Sequence, residues 1–215
     1  TDYTTSYTYD DLDGFPLRVK TMTYPSGYTT ENVYHATSGK LYRINDGMGN
    51  KLWETEDANA IGQITQYGLG ANITSMRGYV PETGCLTSIF SYNNNAELQN
   101  LGYSYDDFGN LTYRSDKIRG LKEDFGYDNL DRLDSIVLNN QIVSRITYDA
   151  LGRMISKQAD GHDVFAAAQY DYVGPDNQLR PHAISSATVT GNPFPNGQLN
   201  IDYTMFDKVQ CIYRT

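Results

Sequence analysis

One phrase recurs along this chain: Tyr-Asp, two spacers, Gly, a polar residue and then an apolar one. It reads "YSYDDFGNL" at 103–111, "FGYDNLDRL" at 125–133 and "RITYDALGRM" at 145–154, with a looser "YHATSGKL" at 34–41. A catalytic site needs its chemistry once. A phrase written many times at regular spacing builds architecture instead, and its period says which kind. Aligned on the tyrosine, Tyr9, Tyr34, Tyr79, Tyr92, Tyr105, Tyr127, Tyr148 and Tyr203 fall in register, with Ala58 of "ANAIGQI" in the tyrosine place after Tyr34. The successive intervals are 25, 24, 21, 13, 13, 22, 21 and 55 residues. The last leaves room for two degenerate units around "YDYVGPDNQL" at 170–179. A period in the low twenties suits one β-hairpin per repeat.

The phrase itself specifies a hairpin. In "ITYDALGRMISK", Asp149 takes the first position of a type I turn, where its carboxylate accepts turn N–H groups. Ala150 and Leu151 are central. Gly152 follows, where the chain needs a positive φ. This three-residue loop sets Asp149 opposite Arg153 and Tyr148 opposite Met154, each pair contributing about 0.2–1 kcal/mol. By the same geometry Asp106 faces Asn110 across a loop closed by Gly109, and Tyr105 faces Leu111. Asp128 faces Arg132 and Tyr127 faces Leu133, with Asp131 in the glycine place, where Asp is tolerated. The reading extends to Asn93 opposite Glu97 and Tyr92 opposite Leu98, with Ala96 a poor fit in the glycine place. The units at 9–17 (Tyr9, Asp10), 34–41 and 79–86 carry one more loop residue. A lone hairpin is marginal in water, so each apolar face is to be covered by its neighbours.

Composition agrees. There are 20 Asp to 6 Glu, and 19 Tyr to 7 Phe and 1 Trp, with 19 Gly. Asp and Gly favour turns, whereas Tyr favours pleated, half-buried surfaces. The expected fold is all-β: a curved antiparallel strip of about nine repeated hairpins with little or no helix. The best helix candidate is the short "DVFAAAQYDY" at 163–172. The whole of 1–215 reads as a single array, most regular at 90–157 and irregular at 160–200. The net charge of −9 argues against a nucleic-acid surface and against anionic membranes. No apolar run approaches the ~18 residues of a membrane-spanning helix.

At these residues the chain resembles the Rhs, or YD-repeat, family. The strongest segments are 103–116 and 125–157. "YPSGYTTENVYHATSGKLYRIND" at 24–46, "DYTMFDKVQCI" at 202–212 and the Pro-His segment "RPHAISSA" at 180–187 are also similar. The resemblance implies a strip of hairpins that spirals into a hollow shell. In bacterial polymorphic toxins and insecticidal toxin complexes such a shell encloses a toxic C-terminal polypeptide. In wall-associated proteins and teneurins related shells sit outside the cell. The family's Pro- and Asp-rich core motif, tied to autoproteolysis, is absent here. The chain, opening on "TDYTTSYTYD" without Met or an apolar leader, therefore reads as an interior stretch of repeats.

Other candidates reduce to turn chemistry. His35, His162 and His182 lack metal-ligand spacing. The carboxylates of "YDDLDG" (9–14) and "DNLDRLD" (128–134) are placed by turns rather than by a calcium loop or a glycosidase pair. "GMGN" (47–50) and "GLGA" (68–71) lack a full phosphate-loop fingerprint. "NIT" (72–74) and "NLT" (110–112) are glycosylation sequons only in a host that adds N-glycans. Cys85 and Cys211 form neither a disulfide framework nor a metal site, and sequence separation alone cannot test a bridge between them. The expectation is a non-enzymic, secreted or cell-surface protein with no catalytic, metal or cofactor residues. Its partner is an encapsulated or adjoining polypeptide, or alternatively a glycan or cell-surface protein met through the tyrosine faces. Bare strand edges make self-association an expected property of the isolated chain.

Overall fold

A computed structural model describes residues 3–10, 18–94, 96–159, 167–173, 183–190, 197–204 and 208–214. Every regular element among them is a β-strand. The chain divides into two compact units, the first holding 1–103 and 116–119, the second 104–115 and 120–215.

The first unit contains β1 (Ser6–Asp10), β2 (Arg18–Thr23), β3 (Thr29–Tyr34), β4 (Leu41–Asp46), β5 (Lys51–Ala58), β6 (Ile64–Leu69), β7 (Ile73–Tyr79), β8 (Leu86–Asn93) and most of β9 (Ala96–Tyr105). Each strand pairs antiparallel with the next. Turns therefore alternate between two edges of the strip. Tight turns explain why so short a sequence period suffices. Tyr34 pairs with Leu41, Ala58 with Ile64 and Tyr79 with Leu86. Between β7 and β8 the buried Ser75 and Ser91 meet hydroxyl to hydroxyl at 2.9 Å, which satisfies two polar groups inside the sheet.

The second unit contains most of β10 (Leu111–Asp116), then β11 (Leu121–Tyr127), β12 (Leu133–Leu138), β13 (Gln141–Tyr148), β14 (Met154–Gln158), β15 (Ala167–Asp171), β16 (Ser186–Thr190), β17 (Gly197–Tyr203) and β18 (Val209–Arg214). From β11 to β18 each strand again pairs antiparallel with the next. Alternation is clean on β13, where Ser144 and Ile146 are buried and Arg145 and Thr147 exposed. The buried apolar cluster is small: Ala168, Ala187 and Val189, with Tyr170 and Leu199 packed against it.

Two sequence expectations need correction. Residues 167–171 of the helix candidate are strand β15, with 163–166 outside the described residues. Two alanines favour helix, but a five-residue helix is marginal alone. Here the segment gains ladder partners on both sides, and Ala168 fits the close-packed seam opposite Val189. Second, Tyr92 pairs with Glu97 rather than Leu98, and Asn93 with Ala96. The turn is a two-residue one entered through Asn94 at φ +43°. Asparagine tolerates that left-handed conformation, so the shorter loop forms without glycine. Loss of one loop residue moves the register by one, leaving Leu98 half exposed. The Tyr92 turn also lies on the opposite edge from the Tyr79 turn. The two 13-residue intervals are thus halves of one 26-residue unit from Tyr79 to Tyr105.

Candidate functional site

The recurrent tyrosine edge is the one place where many chemically alike groups converge in each unit. Its turns follow one plan. Asp149 N–H donates to Arg153 O at 3.0 Å, and Gly152 N–H donates back to Asp149 O at 3.0 Å. The Asp149 carboxylate accepts the N–H groups of Leu151 and Arg153 at 2.9 and 3.0 Å. Its second oxygen takes the Arg153 Nε at 2.6 Å. Gly152 sits at φ +82°. Asp106 and Asp128 do the same with Asn110 and Arg132 opposite them, closed by Gly109 at φ +87° and Asp131 at φ +57°. Register shifts fall between Gly126 and Tyr127 and between Thr147 and Tyr148. This is the bulge that a three-residue loop requires. Tyr127 then pairs with Leu133 and Tyr148 with Met154. The longer loop at 35–40 closes through His35 N–H to Lys40 O and Gly39 N–H to His35 O, and the His35 ring stacks on Tyr42.

Five of the aligned tyrosines also reach out of their own hairpins. Tyr148 Oη donates to Leu133 O at 2.8 Å, and Tyr127 Oη to Leu111 O at 2.8 Å. Tyr34 and Tyr79 reach Val19 O and Ile64 O at 2.7 and 3.1 Å. Tyr203 reaches Ile184 O at 3.0 Å. In four of these the acceptor lies in the strand before the tyrosine's own, and Ile184 lies two residues before β16. The arginine of one turn completes the join. Arg132, ion-paired to Asp128, places its guanidinium 4.6 Å from the Tyr148 ring centre and donates Nη1 to Asp149 O at 3.2 Å. Arg153 stacks likewise on Tyr172 at 4.9 Å, and Arg18, paired to Asp10, on Tyr34 at 4.5 Å. A cation over an aromatic face adds about 0.5–1 kcal/mol at sites this exposed. The phrase therefore recurs because its Asp and Gly make the turn, while its Tyr and Arg join that turn to the adjacent hairpins.

Three parts of this plan escape the sequence reading. Tyr172 performs the latch, donating to Met154 O at 2.8 Å, and supplies one unit of the 55-residue interval. Tyr170, the residue that looks like the start of the phrase, packs against the apolar cluster instead. On the opposite edge, Asp46 builds the same loop with Met48, Gly49 and Asn50 but without a tyrosine. The signal was Asp-x-x-Gly-Asn in "DGMGN", visible once Tyr is dropped from the pattern. Tyr9 and Asp10 lie on β1, Tyr9 56% exposed and Asp10 bound to Arg18. Tyr92 belongs to the other edge, as described above, and Tyr105, the last residue of β9, directly precedes the Asp106 turn. His162, His182 and residues 11–14 of the acidic cluster lie outside the described residues. Cys85 and Cys211 are free.

Electrostatics follow from this wiring. At Asp128 the Arg132 side chain, aided by turn N–H groups, holds the carboxyl below its ordinary value against partial burial. At Asp106 and Asp149 burial pushes upward, but the Asn110 or Arg153 side chain and the turn N–H groups, three at Asp106 and two at Asp149, outweigh it, again leaving the carboxyl low. Such carboxylates stay ionised at neutral pH and have their lone pairs committed, so they are poor proton donors. Burial raises the Tyr127 and Tyr172 hydroxyls, which keeps them protonated as donors. Depressed carboxyls contribute stability that is complete above their unfolded value, about 3.9, and is lost as pH falls through the folded value. Raised phenols contribute stability that is complete below about 10 and is lost above it. The urea midpoint should thus hold level between these limits and fall below about pH 4. The triple variant Asp106→Asn, Asp128→Asn, Asp149→Asn should show a flatter acid limb. An unchanged acid limb in that variant would remove the carboxylates from the explanation. Among the described residues no group of three or more His, Cys, Asp or Glu is placed to hold a metal ion.

A scan against family models finds no match, and neither does a search of curated proteins. Solved structures do match. A crystal structure of TcdB2-TccC3 without its hypervariable C-terminal region covers 99% of this chain at 18% identity, with a TM-score of 0.52. The chain shares its fold with part of TcdB2-TccC3. Two further TcdB2-TccC3 crystal structures, labelled TEV and Cdc42, each cover 94% of it at 19% identity and a TM-score of 0.51. The chain spans about a tenth of the length of these solved chains, 10% in each case.

Proposed function

We propose that this chain is wall material: a YD-repeat segment of a secreted or cell-surface protein that helps enclose a polypeptide, such as a C-terminal toxin. Both compact units are segments of one hairpin array in this reading. The observation that carries it is the repeated latch from Tyr34, Tyr79, Tyr127, Tyr148, Tyr172 and Tyr203 to an earlier segment of chain, because a wall needs its hairpins joined to one another with few gaps. The shared fold with TcdB2-TccC3, covering nearly the whole chain, supports the same reading. The mechanism is exclusion. A hydrogen-bonded sheet keeps protease and solvent from whatever lies behind it, and no catalytic group or cofactor is required.

Protease protection in the parent polypeptide tests this. The enclosed segment should survive a protease dose that destroys it once mild denaturant opens the array. Equal cleavage of that segment under both conditions would overturn the proposal. A second reading, an extracellular module recognising glycans or proteins, draws on Tyr24 and Tyr28. Both are exposed, and their ring centres lie 6.2 Å apart across a Pro-Ser-Gly turn. Retention on a glycan array that Tyr24→Ala abolishes would favour that module over the wall.

A further inference from the structure

One face of β5 to β8 carries a trough that no turn or latch uses. Asp57 pairs with Gln66, Gln66 with Met76 and Met76 with Phe90, so these four residues form one row across the sheet. Gly78 pairs with Ser88, and both stand two residues from that row, on the same face. Together they line a depression of about 310 Å³, at the small end of ligand sites, which run from roughly 300 to 1,000 Å³. Each of these strands is paired on both sides, so the trough owes nothing to the first or last strand of the chain.

Its floor departs from the repeat. In two other hairpins the residue before the aligned tyrosine closes this spot with a hydroxyl pair, Thr8 with Thr21 at 2.6 Å and Thr147 with Ser156 at 2.5 Å. Before Tyr79 stands Gly78, which has no side chain to give. A Cβ built there would lie 2.6 Å from Ser88 Oγ and 2.9 Å from Thr87 Oγ1, so both hydroxyls lean over bare backbone. Gly102 flanks Ser88 on the other side. The walls differ in kind. Phe90 and Met76 make one side apolar, with Met76 44% exposed. Asp57 and Gln66 make the other side polar, and both are held in place. Thr65 Oγ1 donates to Asp57 Oδ2 at 3.0 Å, and Gln66 Nε2 to Glu56 Oε2 at 2.6 Å. That leaves Asp57 Oδ1 and Gln66 Oε1 to accept from a ligand.

We propose that this trough binds one neutral pyranose ring of a glycan. A sugar ring has an apolar C–H face and an edge of hydroxyls. The Phe90 ring, negative on its face, attracts the first. Asp57, Gln66 and the Thr87 and Ser88 hydroxyls serve the second, because a sugar hydroxyl both donates and accepts. The Glu56 and Asp57 carboxylates repel phosphates and acidic sugars. A cation fits less well, since one aromatic ring forms no cage and the Asp57 carboxylate is already partly engaged. The site uses neither Tyr24 nor Tyr28, and enclosing a polypeptide requires neither the trough nor its ligand.

Amide NMR of the 215-residue chain tests this, with the methyl glycosides of glucose, galactose, mannose and N-acetylglucosamine as probes. At least one should move the Met76, Gly78 and Ser88 signals saturably, whereas glucuronate and tetramethylammonium should not. No response to any glycoside overturns the proposal, and so does a response to tetramethylammonium alone. Gly78→Thr should abolish the response. It supplies the side chain found at Thr147, and Gly78 is not in the left-handed region, so the variant should keep its melting transition. Phe90→Leu keeps apolar bulk without the ring and should weaken binding about fivefold. Undiminished binding in either folded variant overturns the site. Tyr24→Ala should bind as the parent chain does, and loss of binding there would move the sugar to the Tyr24 turn and overturn this assignment. Protease protection of an enclosed segment is a separate readout, so a negative titration leaves the wall reading intact.

Discussion

Tyr148→Ala should lower the stability of the second compact unit by about 3 kcal/mol, the low end of the range for truncating a large aromatic. The ring is only part-buried, which argues for the low end. It packs under the Arg132 guanidinium and fixes the β12–β13 seam through its bond to Leu133 O. Tyr148→Phe keeps the ring and loses only the hydroxyl, so it should cost about 1 kcal/mol. The two variants together separate packing from the latch. Tyr24→Ala provides the contrast, because Tyr24 is 40% exposed and belongs to the opposite edge. Its effect should stay below about 1 kcal/mol. Urea denaturation followed by circular dichroism measures all three. If Tyr148→Ala were no more damaging than Tyr24→Ala, the repeated tyrosines would be decoration on a sheet held by other means.

The second large effect is expected at Gly152. A Cβ built there would meet only Arg132 Nη1, at 3.8 Å, so space is not the obstacle. Conformation is: φ is +82°, and a β-branched side chain strains the backbone there by about 1–3 kcal/mol. Gly152→Val should accordingly lower the melting temperature by several degrees. Ala150→Val, two residues away on the exposed tip of the same turn, should shift stability by no more than about 0.5 kcal/mol. Matching melting temperatures for the two would rule out the three-residue loop as the element that sets the β13–β14 register.

The turns were readable from sequence because everything that makes them is local. Asp149, Gly152 and Arg153 lie within five residues of one another and interact through that turn. The pairings Tyr148 with Met154 and Tyr127 with Leu133 follow from loop length alone. What lay beyond reach was lateral. That Tyr148 donates to Leu133 depends on how one hairpin docks on another, and no residue in the phrase names its acceptor. Tyr92 misleads because an Asn-rich two-residue loop and a Gly-closed three-residue loop look alike in a string of polar letters, yet differ by one residue of register. Tyr172 was hidden for the converse reason: it keeps the latch but precedes Val173 and Gly174 rather than a regular Asp turn. The strand at 167–171 reads as helix in isolation because alanine propensity is a local signal, whereas its two flanking strands arrive from elsewhere in the chain.

The latches all point one way, each phenol bonding a strand made earlier, at separations of only 15 to 19 residues. During synthesis the phenol of a newly emerged hairpin therefore finds its acceptor carbonyl already made. Short loop closures of this kind favour rapid folding. They also allow the array to lengthen by accretion, so adding or losing one repeat during evolution alters its extent without rewiring the seams already in place.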